Sequence, residues 1–349
     1  MKPIIQELTP ELNKVLFAML QRNLVYNSNF VNYSNQVPGT IITYNHPDGW
    51  VYTDTGSGGS ISFNQANNCC RIVKSSSNAL MIFSQALNEF PRWQRTLIGK
   101  EISVAALVST PSDGSSTLTL AINDGVSNAT RTVTFEANQK QLIEINCVVN
   151  ENATELVVSL ESSSASFTID IYQVYANIGE IALPNLPCMV EGYIGERKQY
   201  ISTQTPPINE LSLCNESYEL TTDYSRLNSV INGRFGTGPN NRSLLPDMRG
   251  YFSRAWDNGS GNDPDAANRT PLGSGTVSGD AVGTVEQDIF RAHTHPLKFS
   301  VNTLKFIPPP QQPGTSPLID LSTHDQTDSY GGAETRGKNI SELYTIKWA

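Results

Sequence analysis

Between residues 10 and 20 the apolar positions Leu12, Val15, Leu16, Met19 and Leu20 recur at intervals of three and four, the spacing of one helical face. Thr9-Pro10-Glu11 stands ahead of them. It combines an N-cap residue type, a proline suited to the first helical position and an acid near the positive end of the helix dipole. A helix is therefore predicted to start there and to run toward the turn cluster Asn27-Ser28-Asn29. A stripe of about three turns is marginal on its own. It must pack on its own domain, on symmetry mates or on a docking partner.

From about residue 24 the period changes to short apolar runs separated by Gly, Ser, Asn and Pro. Ile41–Tyr44, Ile61–Phe63, Arg71–Val73, Leu80–Phe83 and Ile102–Val108 read as strands. Thr117–Ile122, Arg131–Phe135, Leu142–Val149, Glu155–Leu160 and Phe167–Val174 continue the series, and strands in this number imply two packed sheets. The fold class expected is mainly β. A short N-terminal helix (1–23) precedes a β-sandwich (24–178), a proline-stiffened linker (179–192, with Pro184 and Pro187) and a second β-rich domain (193–349).

Composition narrows the function. Charged residues make up 16% and the net charge is −9, with no Lys/Arg cluster, so a phosphate backbone would be repelled and nucleic-acid binding is set aside. No run of apolar residues reaches the length of a membrane span, and the first twelve residues, with Glu7 and Glu11, lack a signal-peptide core. Five cysteines, two of them the adjacent Cys69 and Cys70, read as buried reduced thiols.

Asn27-Ser28-Asn29-Phe30, then Pro47-Asp48-Gly49-Trp50, and the closing strand Ile169–Val174 resemble the jelly-roll carbohydrate-binding modules. The resemblance implies a sugar contact made by exposed aromatic faces, with Trp50, Tyr52 and Trp93 as candidates.

Beyond residue 193 the order of motifs resembles the phage tail collar family, also found at short tail-fibre tips. It runs through Pro206-Pro207, Leu213-Cys214-Asn215, a short helix at Tyr224–Leu227 and the glycine turn Gly233–Gly238. Leu245-Pro246-Asp247-Met248-Arg249-Gly250-Tyr251-Phe252 follows, with Arg254, Trp256 and Asp257 behind it. Glu286-Gln287-Asp288, His293-Thr294-His295 and Glu334-Thr335-Arg336 keep the family order, and the chain closes on the strand Leu343–Lys347. Within the central motif Pro246 fixes a turn dihedral, Asp247 can cap amides, Arg249 offers a bidentate fork and Gly250 permits positive φ. These residues build a loop, not a catalyst. Two departures stand out: Gly337 occupies a position where the family has proline, and the usual Gly-Trp between the proline pair and Leu213 is missing.

His293-Thr294-His295 places two imidazoles on one face of an extended segment, about 6.6 Å apart. One chain supplies too few ligands for a metal, but three chains around an axis would supply six nitrogens. The resemblance implies such a metal-threaded homotrimer, with structural iron(II) on the axis as first choice and zinc as second. His46 and His324 have no partner at ligand spacing.

No nucleophile elbow, zinc-protease helix, phosphate-binding loop or dinucleotide fingerprint is present, and no two carboxylates are singled out as a glycosidase pair. Asp257, Asn262, Asp263 and Asp265 miss the EF-hand spacing and read as a solvated turn. The expected function is that of a non-enzymatic, trimeric tail-fibre or collar protein of a virion or phage-like particle, assembled in the bacterial cytoplasm. Its partners would be other tail or baseplate proteins through the N-terminal region, and a bacterial surface glycan or outer-membrane receptor through a distal tip at 297–332. A baseplate connector without receptor, and a polysaccharide depolymerase, are the alternatives.

Overall fold

The computed structural model describes residues 9–34, 46–56, 59–111, 116–288 and 339–349. The expected strand Ile41–Tyr44, the His293/His295 pair, the stretch 297–332 and the motif Glu334-Thr335-Arg336 lie outside the described residues.

Helix α1 spans Pro10–Met19, with the Thr9 hydroxyl accepting the Leu12 amide at 3.3 Å as an N-cap. It ends at Met19 with Leu20 as its C-cap, well short of the Asn27 cluster. The Asn23 side-chain oxygen accepts the amides of Val25 and Ala176, while its backbone bonds Pro187 and Met189. Of α1 only Ala18 is buried; Leu12, Leu16, Met19 and Leu20 stay uncovered by the chain's own described residues.

The molecule is mainly β. One five-stranded sheet has the order β1 (Val51–Asp54), β4 (Met81–Ala86), β9 (Val157–Ser162), β6 (Thr117–Asn123), β7 (Asn128–Thr134). The other has the order β2 (Ser60–Asn64), β3 (Cys69–Val73), β10 (Thr168–Ile178), β5 (Glu101–Ser109), β8 (Gln141–Val148). All pairs are antiparallel. The runs β3-β10-β5-β8 and β4-β9-β6-β7 have the strand order of a jelly roll, with β1 and β2 extending one edge of each sheet. Period-two alternation buries Met81 and Phe83 and turns Ile82 and Ser84 outward. A bulge between Ile171 and Gln173 shifts the register of β10, so that Val174 and Ala176 again face the core beyond it.

From residue 179 the chain runs over the second sheet, where Ala182 packs with Ala105 and Tyr175. The Asn177 amide holds the carbonyls of Ile178 and Ile181. A three-stranded sheet follows, ordered β11 (Arg197–Tyr200), β15 (Leu343–Lys347), β12 (Glu210–Ser212). Helix α3 (Ser225–Ile231) packs its Leu227 and Ile231 with Leu213, Leu220, Leu245 and Ile346. Tyr26 belongs to this same cluster, and its hydroxyl accepts the Ile194 amide at 3.2 Å, so the jelly roll and the region after it share apolar packing. A short pair, β13 (Thr270–Pro271) with β14 (Thr284–Val285), closes a long turn-rich stretch. Among the described residues no helix is long and apolar enough to cross a membrane.

Candidate glycan-contact site

The aromatic residues sort themselves by burial. Trp50 is 0% exposed and stacks on Phe83 at 4.6 Å with the rings 14° apart, and Phe30 closes the cluster 5.2 Å away. Tyr52 on β1 is also buried. The expectation that these two rings offer faces to a sugar is therefore corrected. The turn Pro47–Gly49 delivers Trp50 inward, and its large apolar surface does more under the sheets than outside them. Trp93, first residue of the short helix α2 (Trp93–Leu97), is half-buried against the jelly-roll core. Trp348 is half-buried and edge-on to Tyr224 at 5.1 Å.

Of the chain's four tryptophans Trp256 is the exposed one, at 50%. Its indole N–H donates to the Asp280 carbonyl at 3.2 Å, which fixes the ring by its edge and leaves a face in solvent. The Asp280 carboxylate accepts the Gly259 amide at 2.7 Å, tying the same two segments together again. Phe252, also exposed, lies four residues before it on the chain.

The loop carrying Trp256 is rigidified by two carboxylates. Asp257 accepts the Ser260 hydroxyl at 2.7 Å and the amides of Gly261 and Asp263 at 2.9 and 2.8 Å. The serine hydroxyl and these amides push its carboxyl down to about 2. Buried Asp263 pairs with Arg269 at 3.0 Å and with Arg254 at 3.3 Å. The Asp257 oxygens are thus turned toward N–H and O–H donors of their own loop, which is the behaviour of a turn rather than of a calcium cage. Among the described residues no group of three or more His, Cys, Asp or Glu side chains is placed to hold a metal.

Just upstream, Pro246 is buried and the neighbouring backbone is pinned on both sides, Leu245 N to Tyr218 O at 3.0 Å and Met248 N to Leu213 O at 2.8 Å. Asp247 accepts the Arg249 amide and both edges of its guanidinium, at 3.0 Å to Nε and 2.7 Å to Nη2. The Arg249 fork holds the Asp247 carboxyl below its ordinary value. Gly250 has φ +80°, in the left-handed region. This loop ends where the Trp256 loop begins.

A second open surface lies on the outer face of β3 and β10. Arg71 grips Asp170 with two bonds of 2.7 Å, and Asn67 adds a third at 2.9 Å. Burial alone would raise the Asp170 carboxyl, but Arg71 and Asn67 hold it below the usual range. Beside it the Lys140 ammonium sits 3.8 Å over the Tyr172 ring. The five cysteines are free thiols, and burial pushes Cys69 up to about 12.

No family model matches the chain. It is 28% identical over 169 residues to the protein RhiB of Rhizobium leguminosarum bv. viciae, covering 47% of this chain and 75% of that one. Among solved structures it is similar to the carbohydrate-binding module TmCBM61 in complex with β-1,4-galactotriose (12% identity, TM-score 0.32, 44% of this chain, 97% of that one). It is similar also to the xylan-binding CBM22-1 domain of Paenibacillus barcinonensis Xyn10C (10%, TM-score 0.30, 47% and 96%). A third similar structure is the enzymatically active domain of tailspike protein 4 of bacteriophage CBA120 (15%, TM-score 0.30, 45% and 21%). The jelly-roll assignment above rests on the strand order itself.

Proposed function

We propose that this chain is a structural and adhesion protein of a phage or phage-like tail, a trimeric fibre or collar component that attaches to a bacterial surface glycan. The observation that carries the contact is Trp256: an indole held by its N–H on a carboxylate-braced loop, with a ring face free to stack on the C–H face of a pyranose. The loop follows the segment 245–252, whose residues carry the tail-collar resemblance. Weak stacking contacts, repeated by three chains, would sum to firm attachment.

The uncovered Leu12, Leu16, Met19 and Leu20 of α1 suit attachment to other tail or baseplate proteins. That face also favours the second reading, a connector without a receptor. Trimerisation with iron(II), or zinc, on His293 and His295 belongs to the same proposal.

Two measurements test it. Cell-binding of the purified chain to Gram-negative and Gram-positive panels, compared with Trp256→Ala, should fall about tenfold or more in the variant with the melting temperature unchanged. Unchanged binding would remove Trp256 from the contact, and absence of binding to any cell would favour the connector. Solution mass and metal content, read on the wild type and on His293→Ala/His295→Ala, should show a trimer whose iron is lost in the double variant. A stable monomer would overturn the fibre architecture.

A further inference from the structure

Where the polar face of the three-stranded sheet meets the loop after β4, a pocket of about 510 Å³ opens, walled on one side by Phe90, Pro91 and Met189. Lys347, on β15, lines it while being only 5% exposed. Its ammonium has no hydrogen bond or ion pair among the described residues. The rest of the side chain is covered, so the ammonium offers the pocket hydrogen-bond donors that no described residue takes up. The neighbouring cation does not share this condition: Lys198 is paired with Glu210 at 3.2 Å.

Glu196 lines the same pocket, likewise without a side-chain partner among the described residues. Lys347 Nζ and Glu196 Oε2 face the same spot: they lie 3.7 and 3.3 Å from the position that a Cβ on Gly192 would take. Gly192 has φ +75° and no side chain, so the space between donor and acceptor stays open. The two charges flank that space without closing on each other.

We infer that this pocket binds a neutral pyranose through a pair of vicinal hydroxyls. One hydroxyl accepts from the Lys347 ammonium and its neighbour donates to the Glu196 carboxylate, so each charged group gains the bond that it lacks. The apolar wall of Phe90, Pro91 and Met189 takes the C–H side of the ring. A simple anion would meet Lys347 but be repelled by Glu196, and a simple cation the reverse. A diol satisfies both at once. The inference deepens the adhesion reading, on which its choice of sugar as ligand rests, by adding a site between the jelly roll and β15 that is separate from Trp256.

The test is saturation-transfer NMR on the full chain with the methyl glycosides of galactose, mannose and glucose as probes and cyclohexanol as the control without a diol. The wild type should show transfer to at least one glycoside and none to cyclohexanol. Glu196→Ala, a change at an exposed position, and Lys347→Met should each weaken binding about tenfold or more, the scale of one charge-assisted hydrogen bond. Failure of all three glycosides to bind, or binding that Glu196→Ala leaves intact, overturns the inference. The Trp256→Ala chain, run beside these, separates the two readings. A signal lost only in Trp256→Ala overturns the pocket and keeps the adhesion site; a signal lost in Glu196→Ala and kept in Trp256→Ala supports the pocket without that site.

Discussion

Glu89 and Arg226 form a buried ion pair between the jelly roll and α3, with Arg226 Nε 3.4 Å from Glu89 Oε2 and Arg226 Nη2 donating to the Glu89 carbonyl at 2.6 Å. The same carboxylate accepts the first amides of α3, Ser225 N at 2.6 Å and Arg226 N at 2.8 Å, together with the Ser225 hydroxyl. It thus caps a helix 136 residues away in sequence. Burial pushes the Glu89 carboxyl up from its ordinary value, against the opposing pull of Arg226 and Ser225. Glu89→Ala leaves a buried guanidinium without its counter-ion and two helix amides without their acceptor, and should cost about 3–5 kcal/mol. Replacing both partners with leucine should cost less than the single change. Urea unfolding of the three chains decides it, and a double variant as unstable as the single one would refute the pairing.

Trp50 and Trp256 should respond in opposite ways. Trp50→Ala removes a fully buried ring stacked on Phe83 and should destabilise the chain by about 3–5 kcal/mol. Trp256→Ala should shift stability by no more than about 0.5 kcal/mol. Thermal unfolding reads both, and equal shifts would contradict the burial assigned to them.

Gly250 and Gly236 both have positive φ, but their surroundings differ. A Cβ on Gly250 meets no heavy atom within 4 Å, so Gly250→Ala carries only backbone strain, about 1 kcal/mol. A Cβ on Gly236 runs into Ser274, so Gly236→Ala should cost clearly more. Urea midpoints of the two variants give the comparison, and a smaller loss at Gly236 would count against the packing described there.

The Asp257 loop should be sensitive to acid in a defined window. Its carboxyl lies lower in the folded chain, about 2, than its ordinary value of 3.8. A depressed carboxylate stabilises the fold above the ordinary value and loses that contribution as pH falls toward the folded one. Amide exchange at Gly261 and Asp263 should therefore stay protected down to about pH 4 and rise on approach to pH 2. Asp257→Asn should expose the same amides at neutral pH. Protection that ignores both acid and substitution would show that the carboxylate does not hold the loop.

What the chain disclosed in advance was what short-range pattern encodes. Thr9-Pro10 marked the start of α1, apolar runs between turn residues marked nine strands of the jelly roll, and the strand at Leu343–Lys347 was expected from the family resemblance. β1 escaped because Val51-Tyr52-Thr53-Asp54 is short, polar at its end and hidden behind a turn. The end of α1 was misplaced because the segment after it is held by long-range bonds, among them Ala176 N to Asn23 Oδ1, a partner 153 residues away. Trp50 and Tyr52 were misread as exposed rings for the same reason. Composition says that a tryptophan is large and apolar, but only tertiary packing puts Trp50 under Phe83 and hangs Trp256 from the Asp280 carbonyl. The approach of Lys347 to Glu196 across Gly192 is likewise a product of three-dimensional closure.

The position of β15 sets an order of events at the ribosome. This strand is the middle member of its sheet, yet its contacts to Cys214 span 130 residues of chain. The jelly-roll strands are all synthesised by Ile178 and can close while the rest is still being made. β11 and β12 must wait with unpaired edges until residues 343–347 emerge. Folding of this region thus waits for its last strand, and in refolding followed by pulsed hydrogen exchange β5 should gain protection before β11. Until then the nascent chain carries a finished sandwich and an open sticky sheet, the form most in need of a chaperone.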